Sequence, residues 1–171
     1  IAIISKKIGK KKAFIISQLI SIIGYILFWF LFIPGKPYMF LYALPFHSFG
    51  IGSLFTIMMS MTADVCDLDE LENGVRREGV LGAVYWWMVK LGFGVAALFS
   101  GFILWLVGFD PDQVTETAIT GMRLFYTFLP ISGVILAIWI MKDYDISEKR
   151  ANEIKEQLKL KNQNTKTMLI V

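Results

Sequence analysis

Lys90 is the charged side chain whose position most suggests chemistry, because it interrupts a long apolar run. The run VLGAVYWWMVKLGFGVAALFSGFILWLVG covers residues 80–108. If it crosses a membrane as a helix, a rise of about 1.5 Å per residue places Lys90 about 15 Å deep, near the bilayer midplane. An ammonium group at that depth costs about 3 kcal/mol or more, so it normally faces water or a carboxylate. We interpret Lys90 as a ligand-binding group; a helix that starts later would instead place it nearer the surface.

Trp86 lies one helical turn before Lys90 and Gly94 one turn after it, so the three share a helix face. An aromatic plane beside a charge suits a hydrophilic ligand with an apolar ring face, such as a sugar. The alternative is that the aromatic residues 85–87 form a belt at the membrane interface. The sequence leaves these two interpretations open.

A second candidate is the stretch MTADVCDLDELENGVRREG, residues 61–79, which holds six carboxylates and two arginines between two apolar runs. Its apolar spacing predicts a helix that leaves the preceding run, lies along the membrane surface and ends at Asn73 and Gly74. The alternative is a solvated loop, in which the arginines alone would be enough to keep the loop on one side of the membrane. Six acids indicate charge pairs with other loops, which could hold a cavity shut on one side and separate when it opens.

The elements that position these residues are four apolar runs, at about 13–33, 38–62, 80–108 and 121–141. Each is long enough to cross a hydrocarbon core as a helix, which needs about 20 residues. Hydrophobic residues make up 56% of the 171 positions, well above the share in soluble domains. The sequence therefore predicts an all-α membrane protein, with a kink expected near Pro45 in the second run.

The basic residues predict the orientation. Five of the 17 Lys and Arg lie in residues 1–12, two in the 63–79 loop and seven after residue 141. Basic residues favour the cytoplasmic side, so both ends and this loop are predicted to be cytoplasmic, with the chain in the plasma (inner) membrane. Residues 1–12 then form a basic connection, and 142–171 a tail with a short amphipathic helix. The net charge of +3 reflects this topology and does not indicate nucleic-acid binding.

Enzyme chemistry has almost no support in the sequence. No Ser/His/Asp set, metal-ligand spacing or phosphate-binding glycine loop occurs, and Cys66 is the single cysteine. His47 could relay protons, but a hydrogen-bonded structural histidine is at least as plausible. The apolar runs also lack an interior Asp or Glu to neutralise Lys90, and the chain begins without Met. We therefore expect a fragment whose remaining part, the solute or water compensates this lysine.

These residues resemble a known family. The stretch ADVCDLDELENGVRREG, the "VKLG" of residues 89–92 and the ending YDISEKRANEIKEQL are similar to the glycoside-pentoside-hexuronide cation symporters, typified by melibiose permease, within the major facilitator superfamily. The resemblance covers essentially the whole chain and corresponds to the last four of twelve helices. It implies part of the C-terminal lobe of a transporter that works by alternating access, with a solute site at the midmembrane level.

The resemblance also implies roles for individual residues. It places Lys90 close to the sugar and cation region, and a pocket aromatic near Phe55, where some members carry tryptophan. It implies an inner gate whose charge network comprises Asp64, Asp67, Glu70, Arg76 and Glu78. The coupling cation, Na⁺ or H⁺, would be held by carboxylates of the first lobe, which this sequence lacks; no other cofactor is expected.

The expected partners are a small solute, the coupling cation, the lipid bilayer and the first lobe of the same protein. Two alternatives stay open at this point. Relatives of the family carry lysolipids, and the abundance of Phe and Met does not exclude an amphiphilic solute. A four-helix membrane adaptor that does not transport, in which Lys90 pairs with a carboxylate of another protein, would also fit.

Overall fold

The chain forms a bundle of long helices. The computed structural model describes residues 2–36 and 38–168, and these hold six α-helices, a short 3-10 helix at Met39–Tyr42 and no strand. The helices are α1 (Ala2–Ile8), α2 (Lys10–Leu31), α3 (Leu44–Asn73), α4 (Glu78–Leu106), α5 (Glu116–Met141) and α6 (Glu148–Met168). Helices α2 to α5 are long and apolar enough to cross a membrane, which confirms the predicted class and the four spans.

Helix α3 differs from the expectation in two ways. Pro45 lies in its first turn, where a missing N–H costs nothing, so this proline begins the helix and does not kink it. The charged stretch does not turn away along the membrane surface but continues α3 as far as Asn73, because no Gly or Pro interrupts it. Gly74, with φ of 72°, then ends the helix in the left-handed conformation that glycine adopts easily.

Helices α2 and α3 cross in close contact, because small residues lie where they meet. A Cβ atom added at Gly50 would lie 2.5 Å from Ser21 Cβ, and one added at Gly24 would lie 2.8 Å from the backbone nitrogen of His47. At the same crossing Gln18 Nε2 donates a hydrogen bond of 3.3 Å to the Gly50 carbonyl. The two backbones therefore approach so closely that only glycine fits at positions 24 and 50.

The core lies among α2, α3 and α5. At one end of the bundle Phe14, Ile57 and Met141 are buried together, and at the other end Phe28 packs on Ala43. Helix α4 contributes nothing to either cluster, since none of its residues is buried. The structure therefore holds three helices around a packed core and one spanning helix whose surface is largely open.

The start of α2 and the end of α5 meet at one end of the bundle. Lys11 Nζ, in the first turn of α2, donates hydrogen bonds of 2.6 and 3.2 Å to the carbonyls of Lys142 and Tyr144, just after α5. The tail helix α6 returns towards the end of α3 and buries one apolar face, formed by Ala151, Ile154 and Leu158. Four spans between two ends on the same side agree with an even number of crossings.

Candidate functional site

The open face of α4 carries Lys90 near the middle of the helix. Its side chain is exposed, and within residues 2–36 and 38–168 no carboxylate forms an ion pair with it. Trp86 on the same face is 45% exposed, and a Cβ added at Gly94 would meet no atom within 4 Å. Lys90, Trp86 and the open position at Gly94 thus form one accessible polar and aromatic surface at mid-helix.

Phe55 does not join this surface in the described part of the chain. It lies half-buried on α3, and no ring contact there links it to Trp86. The ring of Trp86 instead meets Tyr85 edge to face, with centroids 5.4 Å apart. The arrangement therefore brings Trp86 and Lys90 together, as their spacing predicted, and leaves Phe55 apart from them.

Asp64 is the most buried charged residue of the candidate gate. Its side chain is fully enclosed and forms a short ion pair with Lys10 of α2, and its other oxygen lies 3.4 Å from Lys155 Nζ of α6. Lys10 Nζ also donates to the Ser60 carbonyl at 3.2 Å. Burial, together with the nearby Asp64 carboxylate, raises the pKa of the Tyr144 phenol. One carboxylate of α3 is therefore bonded to both α2 and α6.

Arg76 organises a separate group at the turn between α3 and α4. Its guanidinium lies 2.8 Å from both Glu70 and Glu78, and 3.6 Å from Asp67. Arg77 reaches Asp69 at 2.5 Å in the same turn. All these partners are close in sequence, so the pairs fix the turn and do not reach another loop among the described residues.

The predicted network of five charges is thus divided in two by the structure. Its members Asp67, Glu70 and Glu78 surround Arg76, whereas Asp64 belongs to a junction with Lys10 and Lys155 that sequence spacing did not reveal. Lys10 belongs to the basic cluster of residues 6–12, which was visible in the sequence, but nothing in the sequence assigned it a partner. Exposed pairs such as those of Arg76 contribute little to stability. Removing a cationic partner of a buried carboxylate, in contrast, strongly destabilises the fold.

Two further polar side chains in the spans have structural surroundings. His47 packs edge-on against Tyr25 and Phe28, with ring centroids 5.2 and 5.5 Å away. Arg123 donates a hydrogen bond of 2.5 Å to the Trp29 carbonyl and lies over the Trp29 ring. It reaches that carbonyl because α5 packs against the end of α2.

An apolar groove of about 1280 Å³ separates α4 from α5 and the end of α2. Its walls include Val95, Phe99, Tyr126 and Leu129, and the polar groups in it are few. Within the described residues no group of His, Cys, Asp or Glu has an arrangement that could hold a metal ion.

Comparison with known proteins finds that the chain is similar to transport proteins. The sequence profile described as MFS/sugar transport protein matches residues 1–148. The chain is 33% identical over 149 residues to a glucuronide carrier protein homolog of Escherichia coli K12, covering 86% of this chain and 32% of that protein. It is 24% identical over 149 residues to the isoprimeverose transporter of Lactiplantibacillus pentosus, covering 84% and 30%.

A further relative is the putative 2,3-dihydroxypropane-1-sulfonate exporter of Escherichia coli K12, 25% identical over 155 residues, with coverage of 90% and 33%. The chain therefore spans about a third of the length of these curated relatives, all of which are named as carriers, transporters or exporters and not as enzymes. No solved structure matches the chain.

Proposed function

Because this chain belongs to the family of MFS/sugar transport proteins, as its resemblance to the glycoside-pentoside-hexuronide symporters indicated, we propose that it is part of a secondary active transporter. The proposed cargo is a sugar, a glycoside or a similar small hydroxylated solute. Movement is coupled to Na⁺ or H⁺ by alternating access between two lobes. The chain contributes four helices of the C-terminal lobe, and its lobe partner is the remainder of the same protein.

The observation that carries this proposal is Lys90. It lies mid-helix on an exposed face of α4, without a carboxylate partner in the described residues, beside the exposed ring of Trp86. A charge in such a position is stable when it faces a water-filled cavity or a ligand. We propose that Trp86 stacks on the apolar face of the solute while Lys90 donates hydrogen bonds to its oxygens.

For the coupling cation, the described residues offer no group of three or more His, Cys, Asp or Glu side chains that could hold a metal ion. We propose that its ligands belong to the first lobe and that Lys90 lies close to them across the cavity. A cation and an ammonium group repel each other at short range, so occupancy of one site would depend on the solute held between them.

For the gate, we propose that Asp64 is the hinge charge, meaning that its ion pairs break or exchange when the gate opens. The Arg76 group is a fixed support, whose ion pairs stay intact. Asp64 draws partners from α2 and α6, so any movement of α3 against α2 must break or exchange those pairs. Asp67, Glu70 and Glu78 hold Arg76 within one turn and can move with α3 and α4 as a unit. A change in the Asp64 junction would therefore bias the equilibrium between closed and open states.

The proposed location is the plasma (inner) membrane, with both ends of the chain cytoplasmic. The support is the excess of Lys and Arg at the end of the bundle where α2 begins and α5 finishes. The Asp64 junction and the Arg76 turn belong to this same end. The proposed gate therefore closes the cytoplasmic mouth of the solute pathway.

We predict that the protein at its full natural length, reconstituted in proteoliposomes, accumulates a hydroxylated solute when a Na⁺ or H⁺ gradient is imposed. A radiolabelled panel should pair a neutral glycoside with the matching glucuronide, because the ammonium group of Lys90 would favour an acidic solute electrostatically. A lysophospholipid belongs in the same panel as the amphiphilic alternative.

Empty liposomes and liposomes with dissipated gradients are the controls for this assay. Accumulation of a sugar or glycoside supports the proposal, and accumulation of the lysophospholipid alone would replace the solute with an amphiphile. A protein that moves none of them under either gradient would favour a membrane adaptor.

A further inference from the structure

A second, basic cleft of about 620 Å³ lies at the end of the bundle where α2 begins and α5 ends. It is formed by the connection between α1 and α2 on one side and by the segment between α5 and α6 on the other. The charged residues that line it are Lys7, Lys10, Lys11, Lys12 and Lys149, together with Asp145 and Glu148. Five ammonium groups and two carboxylates leave the cleft with an excess of positive charge.

The local sequence builds this cleft. Gly9 has φ of 86° and ψ of 153°, a backbone region that is essentially restricted to glycine, and the chain changes direction there between α1 and α2. As a result Lys7, before the turn, and Lys12, after it, line one concavity. The bonds from Lys11 Nζ to the Lys142 and Tyr144 carbonyls hold the opposite wall in place.

The five lysines divide by their contacts. Lys10 neutralises Asp64, and Lys11 binds two backbone carbonyls. The side chains of Lys7, Lys12 and Lys149 are exposed, and none of them forms an ion pair within the described segments. The two carboxylates of the cleft offset only part of this positive charge, and the remaining repulsion among the ammonium groups is relieved by an anion.

The position of the cleft relative to the membrane limits what that anion can be. Helix α2 begins at Lys10 and is a spanning helix, so the cleft lies at the level of the lipid headgroups. Apolar side chains directly beside it are open: Ile8 is 38% exposed, Ile16 47% and Leu19 50%. A basic cleft next to an apolar helix face complements both parts of a phospholipid, whereas a soluble phosphate would use only the first.

We propose that this cleft binds the phosphodiester of an anionic phospholipid from the leaflet on the same side as the chain's ends. Lys7, Lys12 and Lys149 contact the phosphate and its negatively charged headgroup, and the acyl chains lie along Ile8, Ile16 and Leu19 of the first two helices. The lipid would span the α1–α2 connection and the start of α6, beside the Asp64 junction. The proposal concerns a lipid site and does not depend on which solute the protein carries.

The test uses the protein at its full natural length in nanodiscs and native mass spectrometry of the released complexes. The wild type and the K7Q/K12Q/K149Q variant are compared in discs containing equal parts of dioleoylphosphatidylglycerol and dioleoylphosphatidylcholine. The expected result is retention of phosphatidylglycerol by the wild type and a loss of affinity on the order of 100-fold in the variant, since each basic residue near a charged membrane surface contributes substantially.

The matched control is K36Q/R150Q/K159Q, which removes the same charge from positions outside the cleft and is expected to retain the lipid. A second variant, K7R/K12R/K149R, keeps the charge and is expected to bind like the wild type, which separates lipid binding from misfolding. The proposal is overturned if the two glutamine variants lose the lipid equally, or if none loses it. It is also overturned if glycerophosphoglycerol, the headgroup without acyl chains, displaces the lipid at equal concentration.

Discussion

Replacing Asp64 with Asn is expected to lower the free energy of unfolding by about 3 kcal/mol, the typical cost of removing one partner of a buried ion pair. The Asp64 side chain is fully enclosed, and that of Lys10 is only 12% exposed. Asparagine fills the same space but leaves the Lys10 ammonium buried without a counter-charge. Thermal unfolding of the purified full-length protein, followed by fluorescence of its tryptophans, measures the difference.

The matched control for this variant is Asp67→Asn, which removes the same charge three residues away. Asp67 lies 3.6 Å from Arg76, and Arg76 keeps Glu70 and Glu78 at 2.8 Å, so a shift well under 1 kcal/mol is expected. The two variants also test the gate. If Asp64 holds the proposed cytoplasmic mouth shut, only Asp64→Asn should increase labelling of the buried Cys66 by a bulky thiol reagent. Equal stability and equal labelling of both variants would contradict the proposed hinge.

Replacing Gly50 with Ala is expected to be the most damaging small change in the apolar interior. The new Cβ would lie 2.5 Å from Ser21 Cβ, and rotation of the serine hydroxyl does not relieve a clash with a Cβ atom. Helices α2 and α3 must then separate, which also lengthens the bond from Gln18 to the Gly50 carbonyl. Overpacking of this kind costs about 1–3 kcal/mol.

The control for this prediction is Gly52→Ala, two residues further along the same helix. A Cβ at Gly52 meets nothing within 4 Å, so the change adds a methyl group to α3 without a clash. It is expected to be neutral or slightly stabilising, because alanine favours helix more than glycine does. The yield of monodisperse protein in detergent and its melting temperature distinguish the two variants. Similar losses in both would show that helix α3 is intolerant of any added methyl and that the crossing at Gly50 is not special.

The class of the fold could be predicted because lipid imposes simple requirements. Runs of about 20 apolar residues in a bilayer have few alternatives to helix, and the four predicted spans correspond to α2 through α5. The limits of α3 could not be predicted as well. A charged stretch without Gly or Pro can continue a helix into water, and hydropathy marks where the lipid ends and not where the helix ends.

The candidate site was predictable to the extent that it depends on helical spacing. Trp86, Lys90 and Gly94 follow one face, and the structure places them on the same open side of α4. The Asp64 junction was not predictable in the same way, since Lys10 and Lys155 lie far from Asp64 in sequence. Charges so far apart in sequence meet through tertiary packing. A single sequence does not show which residues of two packed helices lie opposite each other.

The basic cleft shows the same limit. The cluster of lysines in residues 6–12 was visible, and its charge supported the prediction of the chain's orientation. Lys149 joins Lys7 and Lys12 in one concavity only because the chain turns at Gly9 and α6 returns to the bundle. Composition predicted the sign of this surface, and the fold determines its shape.

Labelling a cysteine placed at position 90 tests whether Lys90 lines a water-filled solute site. In the full-length protein carrying C66S and K90C, we expect a charged, membrane-impermeant thiol reagent to modify residue 90, because the site connects to water. The transported solute should slow this reaction in proportion to its occupancy. Modification only by an apolar, membrane-soluble maleimide, unaffected by any solute, would instead place residue 90 against lipid and contradict the account.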